Sequence, residues 1–283
     1  MFKHRFKKFE RSKNPPGFRI VQTDLKILKL LAECRFLDAR QIAAAFPTQT
    51  ERNIRRRLHF LFHNGYVERP DQQRVAFKPS DFLVYSLAKK GAGLVSKSVD
   101  LAAEAKRSKE VGVSFLRHSL MMSDFRLALG EALKNNNKFK LLVWKELGAI
   151  DAVICEGDRL PIAPDAFFAI EDDDCYRYFF LEADRSTMTL ERMLNKFKGY
   201  WNWRAEEGHK QKLGISSFRV LTICPSDERA ENLRHIAAEA SGGNASDLFW
   251  FASEKSYNLK NPENILTPIW RSAKGRGFRQ LLE

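Results

Sequence analysis

Asp165 follows Pro164 at the head of an apolar run, and Glu182-Ala183-Asp184 closes a second apolar run seventeen residues later. Lys196 comes next, inside a segment with helical periodicity. Side chains alternate along a strand, so Glu182 and Asp184 are expected on one face and Ala183 on the other. With Asp165 on a neighbouring strand, the three carboxylates would form a hard-oxygen site suited to Mg²⁺ or Mn²⁺. Such a cation lowers the pKa of a bound water and neutralises charge on a phosphate, so the chemistry in view is phosphodiester hydrolysis. The plain alternative is that these are ordinary polar residues at strand ends.

Those residues need elements to carry them. The pattern predicts a helix from Val113 to Lys134 with Phe115, Leu116, Leu120, Phe125, Leu129 and Leu133 on its core side. Strands follow at Phe139–Glu146, Pro164–Ile170 and Tyr176–Asp184, with the acidic run Glu171–Asp174 in the turn between the last two. A helix from Thr187 to about Glu206, a strand Phe218–Cys224, a helix Asp227–Ala240 and a strand Leu248–Ala252 complete the series. This order, helix, three strands, helix, strand, helix, is that of a restriction-endonuclease-like core in a mixed α/β (α+β) chain. On the helix after the acidic pair, Leu190, Leu194, Phe197 and Trp201 are expected to be buried, leaving Lys196 and Lys198 on opposite edges.

Charge is distributed unevenly. Residues 1–110 hold 24 Lys and Arg against 11 Asp and Glu, and residues 111–283 hold 24 of each. The whole net charge of +13 therefore sits in the first part, as expected of a domain that meets a polyanion such as double-stranded DNA. In that part, residues 1–19 read as a flexible basic arm. Helices are expected at Thr23–Glu33, at Ala39–Phe46 capped by Asp38, and at Gln49–Asn64 ended by Gly65. A two-stranded ribbon, Tyr66–Arg69 with Phe82–Leu87, comes after them. Three helices and a ribbon make a winged helix-turn-helix over residues 20–98, whose third helix enters the major groove. Its outward residues Arg52, Asn53, Arg55, Arg56 and Arg57 have the types that read guanine and adenine edges, with Arg69 and Arg74 as wing contacts. A solvated basic face touching only phosphates is the alternative. His59 and His63, four apart, have the spacing of a metal pair but no third ligand nearby, so a helix-surface pair is the better reading.

Residues 99–112 read as a charged linker, 113–255 as the nuclease-like domain and 256–283 as a C-terminal tail, whose basic stretch Lys274–Arg279 is expected to be mobile. No run of 18 apolar residues crosses a membrane, and the basic N-terminus lacks an apolar export core. Cys34, Cys155, Cys175 and Cys224 form no paired motif and read as reduced cysteines of a cytoplasmic protein.

The segments Ala163-Pro164-Asp165-Ala166 and Phe180 to Thr187, with Lys196 and Tyr200, resemble the replication-relaxation family of plasmid and mobile-element proteins. That family is similar to the MobC-type relaxases and also carries an N-terminal winged helix. The resemblance covers about residues 20–225 and implies metal-dependent nicking or relaxation of DNA at a plasmid origin during replication or mobilisation. The sequence departs from the PD-(D/E)xK pattern at Asp184, where a lysine is usual. Lys196 or Lys198 on the following helix would then supply that charge, with Lys196 favoured by the resemblance. His118, and Asp124 or Glu146 as an outer carboxylate, are further candidates, although a packed-helix role suits His118 better. The tyrosines Tyr176, Tyr178 and Tyr200 are poor covalent nucleophiles, because no HxH cluster accompanies them. The competing reading is a catalytically inactive DNA-binding initiator, accessory factor or regulator of an operator, whose nuclease-like domain serves assembly. A palindromic target would imply a homodimer.

Overall fold

The computed structural model describes residues 6–78, 81–95, 111–136, 138–146, 161–172, 175–243, 247–275 and 277–283. Most of the expected linker, Cys155 and part of the acidic turn lie outside them. The chain divides into two compact units, Met1–Leu127 and Ala128–Glu283, each with its own sheet in a mixed α+β architecture.

In the first unit, α1 (Gln22–Cys34) leads into β1 (Phe36–Asp38), α2 (Ala39–Ala44) and α3 (Glu51–His63). Then come β2 (Val67–Glu68), α4 (Gln73–Ala76), β3 (Val84–Leu87) and α5 (Lys89–Val95). The strands form an antiparallel sheet in the order β1-β3-β2. Local chemistry explains the boundaries. Asp38 accepts from the Gln41 backbone N–H at 2.8 Å while the Gln41 side chain accepts from Asp38 N–H at 2.8 Å, a reciprocal cap on α2. Thr50 caps α3 through Asn53 N–H at 3.2 Å. Gly65, at φ +80°, lets the chain turn after α3 as anticipated. Ile27, Leu28, Leu31, Ile54, Leu58 and Leu61 are buried together as the core.

Three features of this unit differ from expectation. Strand β1 is only three residues long, too short for alternation to announce it. The ribbon is interrupted by α4, and β2 is a mere two residues. The basic arm is packed against the unit from residue 6 onward: Arg11 donates to the carbonyls of Phe62 at 3.0 Å and Val67 at 3.1 Å, and Phe18 stacks on Phe60. Helix α5 forms although Gly91 and Gly93 lower helix propensity. Gly91 is required there, since a Cβ would meet the Tyr66 carbonyl oxygen at 2.1 Å.

The boundary between units falls inside α6 (Val113–Lys134), and the second unit starts at Ala128, fifteen residues later than the expected domain start at Val113. Residues of its first half bond within the first unit. Gln41 Nε2 donates to Leu120 O at 2.8 Å, Ser123 Oγ to Phe36 O at 3.1 Å, and Arg40 grips Asp124 with bonds of 2.8 and 2.9 Å.

The second unit carries β4 (Lys140–Glu146), β5 (Ala166–Glu171), β6 (Tyr176–Ala183), α7 (Leu190–Ala205) and α8 (Gly208–Leu213). It continues with β7 (Arg219–Cys224), α9 (Asp227–Ala240), β8 (Phe249–Ser253), β9 (Trp270–Ser272) and β10 (Phe278–Arg279). The sheet order is β10-β9-β8-β7-β6-β5-β4, with β6, β7 and β8 mutually parallel and the other neighbours antiparallel. The core elements therefore appear in the expected order. The last residues are not a mobile tail: β9 and β10 extend the sheet, and Trp270 is fully buried with its indole N–H donating to Ile265 O at 3.0 Å. The core gathers Phe167, Phe180, Phe197, Tyr200, Trp203, Phe218, Phe249 and Phe251 between the sheet and helices α7 and α9. Cys34 and Cys224 are buried and Cys175 is exposed, and none of the three is in a disulfide. Among the described residues no helix is long and apolar enough to cross a membrane.

Candidate functional site

Asp165 precedes β5 and is held to β6 by both its backbone and its side chain. Its N–H donates to Leu181 O at 3.0 Å, and its Oδ2 accepts from Ala183 N–H at 2.8 Å. The register pairs Ala166 with Leu181, so one step further brings Asp165 across from Glu182. Glu182 is 2 % exposed and receives two donors from α7: the Tyr200 hydroxyl at 2.5 Å and the Lys196 ammonium. Burial pushes the Glu182 carboxyl up to about 7, with Lys196 opposing that rise and the Asp165 charge adding to it. Burial also disfavours the Lys196 charge, but Glu182 and Asp165 outweigh it and leave the ammonium pKa raised. Burial likewise drives the Tyr200 hydroxyl well above its ordinary value, so it serves as a hydrogen-bond donor and not as a nucleophile.

Lys196 is the lysine of α7 that bonds Glu182, while Lys198 is exposed on the opposite edge of the helix. The buried stripe of α7 is Met193, Phe197, Tyr200 and Trp203, which differs from the expected one; Leu190 is exposed. The sequence offered apolar residues on more than one side of this helix, and only the sheet beneath it selects the face.

Asp184 does not join the other two carboxylates. It lies one residue beyond β6, its N–H donates to Ile223 O at 2.9 Å, and its side chain is buried against Arg229. Arg229 Nε donates to Asp184 Oδ2 at 2.7 Å and its guanidinium also holds the Met188 carbonyl at 2.9 Å. Asp184 therefore pins the loop between β6 and α7 to the first turn of α9. Simple alternation failed here because the strand ends at Ala183. Among the described residues no three His, Cys, Asp or Glu side chains gather to hold a metal. The remaining pair, Asp165 and Glu182, still suits Mg²⁺, which is often held by one or two carboxylates together with waters and substrate phosphate.

Beside Lys196 lies an open hollow of about 420 Å³ lined by Ile162, Ala163, Arg192, Asn195 and Gly199. It offers room for a phosphate beside two cations, Lys196 and Arg192. Arg192 is one residue that sequence reasoning passed over; its spacing of four before Lys196 was the available signal.

In the first unit, Arg52, Asn53, Arg55 and Arg56 are exposed along one side of α3, as expected. Arg55 pairs with Glu51 and lies over Phe82, and Asn53 bonds Gln49 at 2.6 Å. Two other candidates are structural. Arg57 is turned toward α1, where Nε donates to the fully buried Asp24 at 2.7 Å. Arg69 is buried, with its guanidinium 3.9 Å from the Phe62 ring centroid and bonded to Lys8 O. Arg74, in α4, is exposed and lies over Phe9.

The other sequence candidates have different employments. Asp124 holds Arg40, and Glu146 accepts from Trp144 Nε1 at 3.3 Å. His118 lies in the first unit, on α6. His63 accepts from Ser12 N–H at 3.0 Å through Nδ1, and burial with the neighbouring His59, Arg69 and Arg11 lowers it to about 4. It is a neutral packed residue, not a ligand.

A family model described as Replication-relaxation matches residues 28–216. No curated protein matches the chain. Among solved structures, the restriction endonuclease FokI is similar at 9 % identity and a TM-score of 0.31, covering 85 % of this chain and 43 % of its own. The same enzyme bound to DNA gives 12 % identity, a TM-score of 0.30, and 85 % and 44 % coverage. This chain thus spans less than half the length of the FokI chain.

Proposed function

The chain belongs to the replication-relaxation family, and from that premise we propose that it binds duplex DNA of a plasmid or mobile element and nicks it in a metal-dependent reaction. The observation that carries this reading is the Asp165–Glu182 pair with Lys196 delivered to Glu182 from α7. Asp165 and Glu182 would hold Mg²⁺ or Mn²⁺, which when bound neutralises charge on the scissile phosphate and acidifies a water. Tyr200 holds Glu182 in one orientation. Lys196, 20 % exposed, presents positive charge to the hollow it shares with Arg192, where phosphate oxygens would be received. The first unit supplies the reader: helix–strand–helix–helix order with a basic α3 supports a winged helix-turn-helix. Arg52, Asn53, Arg55 and Arg56 face bases or phosphates in that reading.

The second reading, a non-cleaving initiator or regulator, is favoured by one observation: Asp184 stands where a nuclease lysine is usual and is locked to Arg229. One experiment separates the two. Supercoiled plasmid carrying the cognate region is incubated with Mg²⁺ or Mn²⁺ and the wild type, Asp165→Ala or Glu182→Ala. Nicking by the wild type alone, with duplex binding kept by all three, is the expected result. Absence of metal-dependent nicking by a wild type that binds would sink the enzyme reading.

A further inference from the structure

A hollow of about 880 Å³ in the second unit lies away from Glu182, at the opening of strands β6 and β7 and the C-terminal end of α7. Its walls bring together Tyr176, Arg177, Trp201, Arg204, Arg219 and Lys274. Four cations face it against one acid, Asp247, although residues 111–283 as a whole are electrically neutral. That acid is already occupied: its Oδ1 accepts from Ser272 Oγ at 2.6 Å and from Trp250 Nε1 at 3.2 Å. Arg177 and Arg219 converge on a single oxygen acceptor, the Glu283 backbone oxygen, at 3.1 and 3.3 Å. Glu283 fills that place here and Arg177 is also paired with Asp172 at 3.2 Å, so a phosphate oxygen would take over the position of the Glu283 acceptor between two guanidiniums. Arg204 and Lys274 are exposed at the rim. Tyr176 is an unusually exposed aromatic at 56 %, and Trp201 is half-buried in the wall of the same hollow.

We propose that this hollow binds single-stranded nucleic acid, with bases stacked on Tyr176 and Trp201 and the backbone held by Arg177, Arg204, Arg219 and Lys274. Cations that follow a backbone, joined to aromatic faces that accept any base, are the combination single-strand sites use. A binding face for duplex needs a convex element to enter a groove, whereas here the aromatic surfaces line a recess. The six residue steps from Tyr176 to Glu182 span about 20 Å along β6, roughly six stacked nucleotides. A strand released at Glu182 would therefore reach the hollow within a few nucleotides. That purpose rests on the nicking reading; the binding itself does not.

The test measures fluorescence anisotropy of a labelled oligothymidylate of about 12 nucleotides and of a duplex of equal length, using the full chain without divalent cation. Tyr176→Ala and Arg204→Glu are each expected to weaken the single strand about tenfold while duplex affinity stays within about twofold. Arg55→Ala with Arg56→Ala is expected to do the reverse. A 5-iodouracil strand is expected to cross-link to Tyr176 or Trp201. Single-strand affinity unchanged by both hollow variants overturns the proposal, as does thymidine monophosphate binding as tightly as the strand, which would make the site one for a free nucleotide. Because no cleavage is measured, failure here leaves the nicking assay to stand or fall alone.

Discussion

Glu182 is where the chemistry of single residues is most exposed to test. Its carboxyl is buried and lifted to about 7, so near neutral pH it sits between a protonated acid and a metal-binding carboxylate. A divalent cation must displace the proton and compete with Lys196 for the same oxygens. As pH falls through about 7, Glu182 takes up a proton and the cation site is lost; above it, the carboxylate is available. Mn²⁺ is accordingly expected to raise the melting temperature at pH 8 and to have little effect at pH 6, with Asp165→Ala abolishing the shift at both. Differential scanning fluorimetry at the two pH values checks this; an equal shift at pH 6 and 8 would remove Glu182 from the site. Asp165 and Glu182 were legible in the sequence because each stands at an end of an apolar run, whereas Lys196 was favoured over Lys198 only by the family resemblance. The partner of Asp184 was not legible, since Arg229 lies 45 residues further on and only the parallel pairing of β6 with β7 brings α9 to it.

Elements decide which charged side chains are free to act. On α3 the arginines recur so closely that sequence spacing separates the apolar stripe from the basic side, yet not the anchor from the readers. Arg57 stands five residues from Arg52 and closes on Asp24 at the start of α1, a contact between distant segments that no local pattern announces. Breaking a buried pair leaves a charge without a partner, typically at a cost of about 3 kcal/mol or more. Arg57→Ala should therefore lower the urea midpoint by that order, whereas Arg52→Ala or Arg56→Ala should stay within about 0.5 kcal/mol of wild type. Equal midpoints for Arg57→Ala and Arg56→Ala would show that Arg57 is no anchor. The same reasoning applies to the loop before α7. Arg229→Ala uncouples fully buried Asp184 and frees the Met188 carbonyl, and should also cost about 3 kcal/mol. Should nicking be found, the loss in that variant is expected to exceed what destabilisation explains, because α7 carries Lys196.

At the scale of the whole chain, the proposed function assigns recognition and chemistry to parts that also differ in charge. Residues 1–110 hold the entire positive excess, and the acidic pair lies in the neutral remainder. The order of the longer elements was readable from periodicity and caps, because helices such as Val113–Lys134 and Asp227–Ala240 run for several turns. Short strands and the docking of the first residues were not, because they depend on contacts made across the fold. That asymmetry has a measurable consequence for duplex binding. Each phosphate neutralised contributes about −0.9 to the slope of log affinity against log salt. If Arg55 and Arg56 touch phosphates, replacing each with Ala should make the slope shallower by about 1 while weakening all sequences alike. If they read bases, each loss should be about 1–3 kcal/mol on the cognate site alone, with the slope kept. Asp165→Ala and Glu182→Ala should leave both slope and specificity at the wild-type values. A slope altered by either acidic variant would mean that duplex recognition extends into the second unit, and the separation of reader from cutter would have to be abandoned.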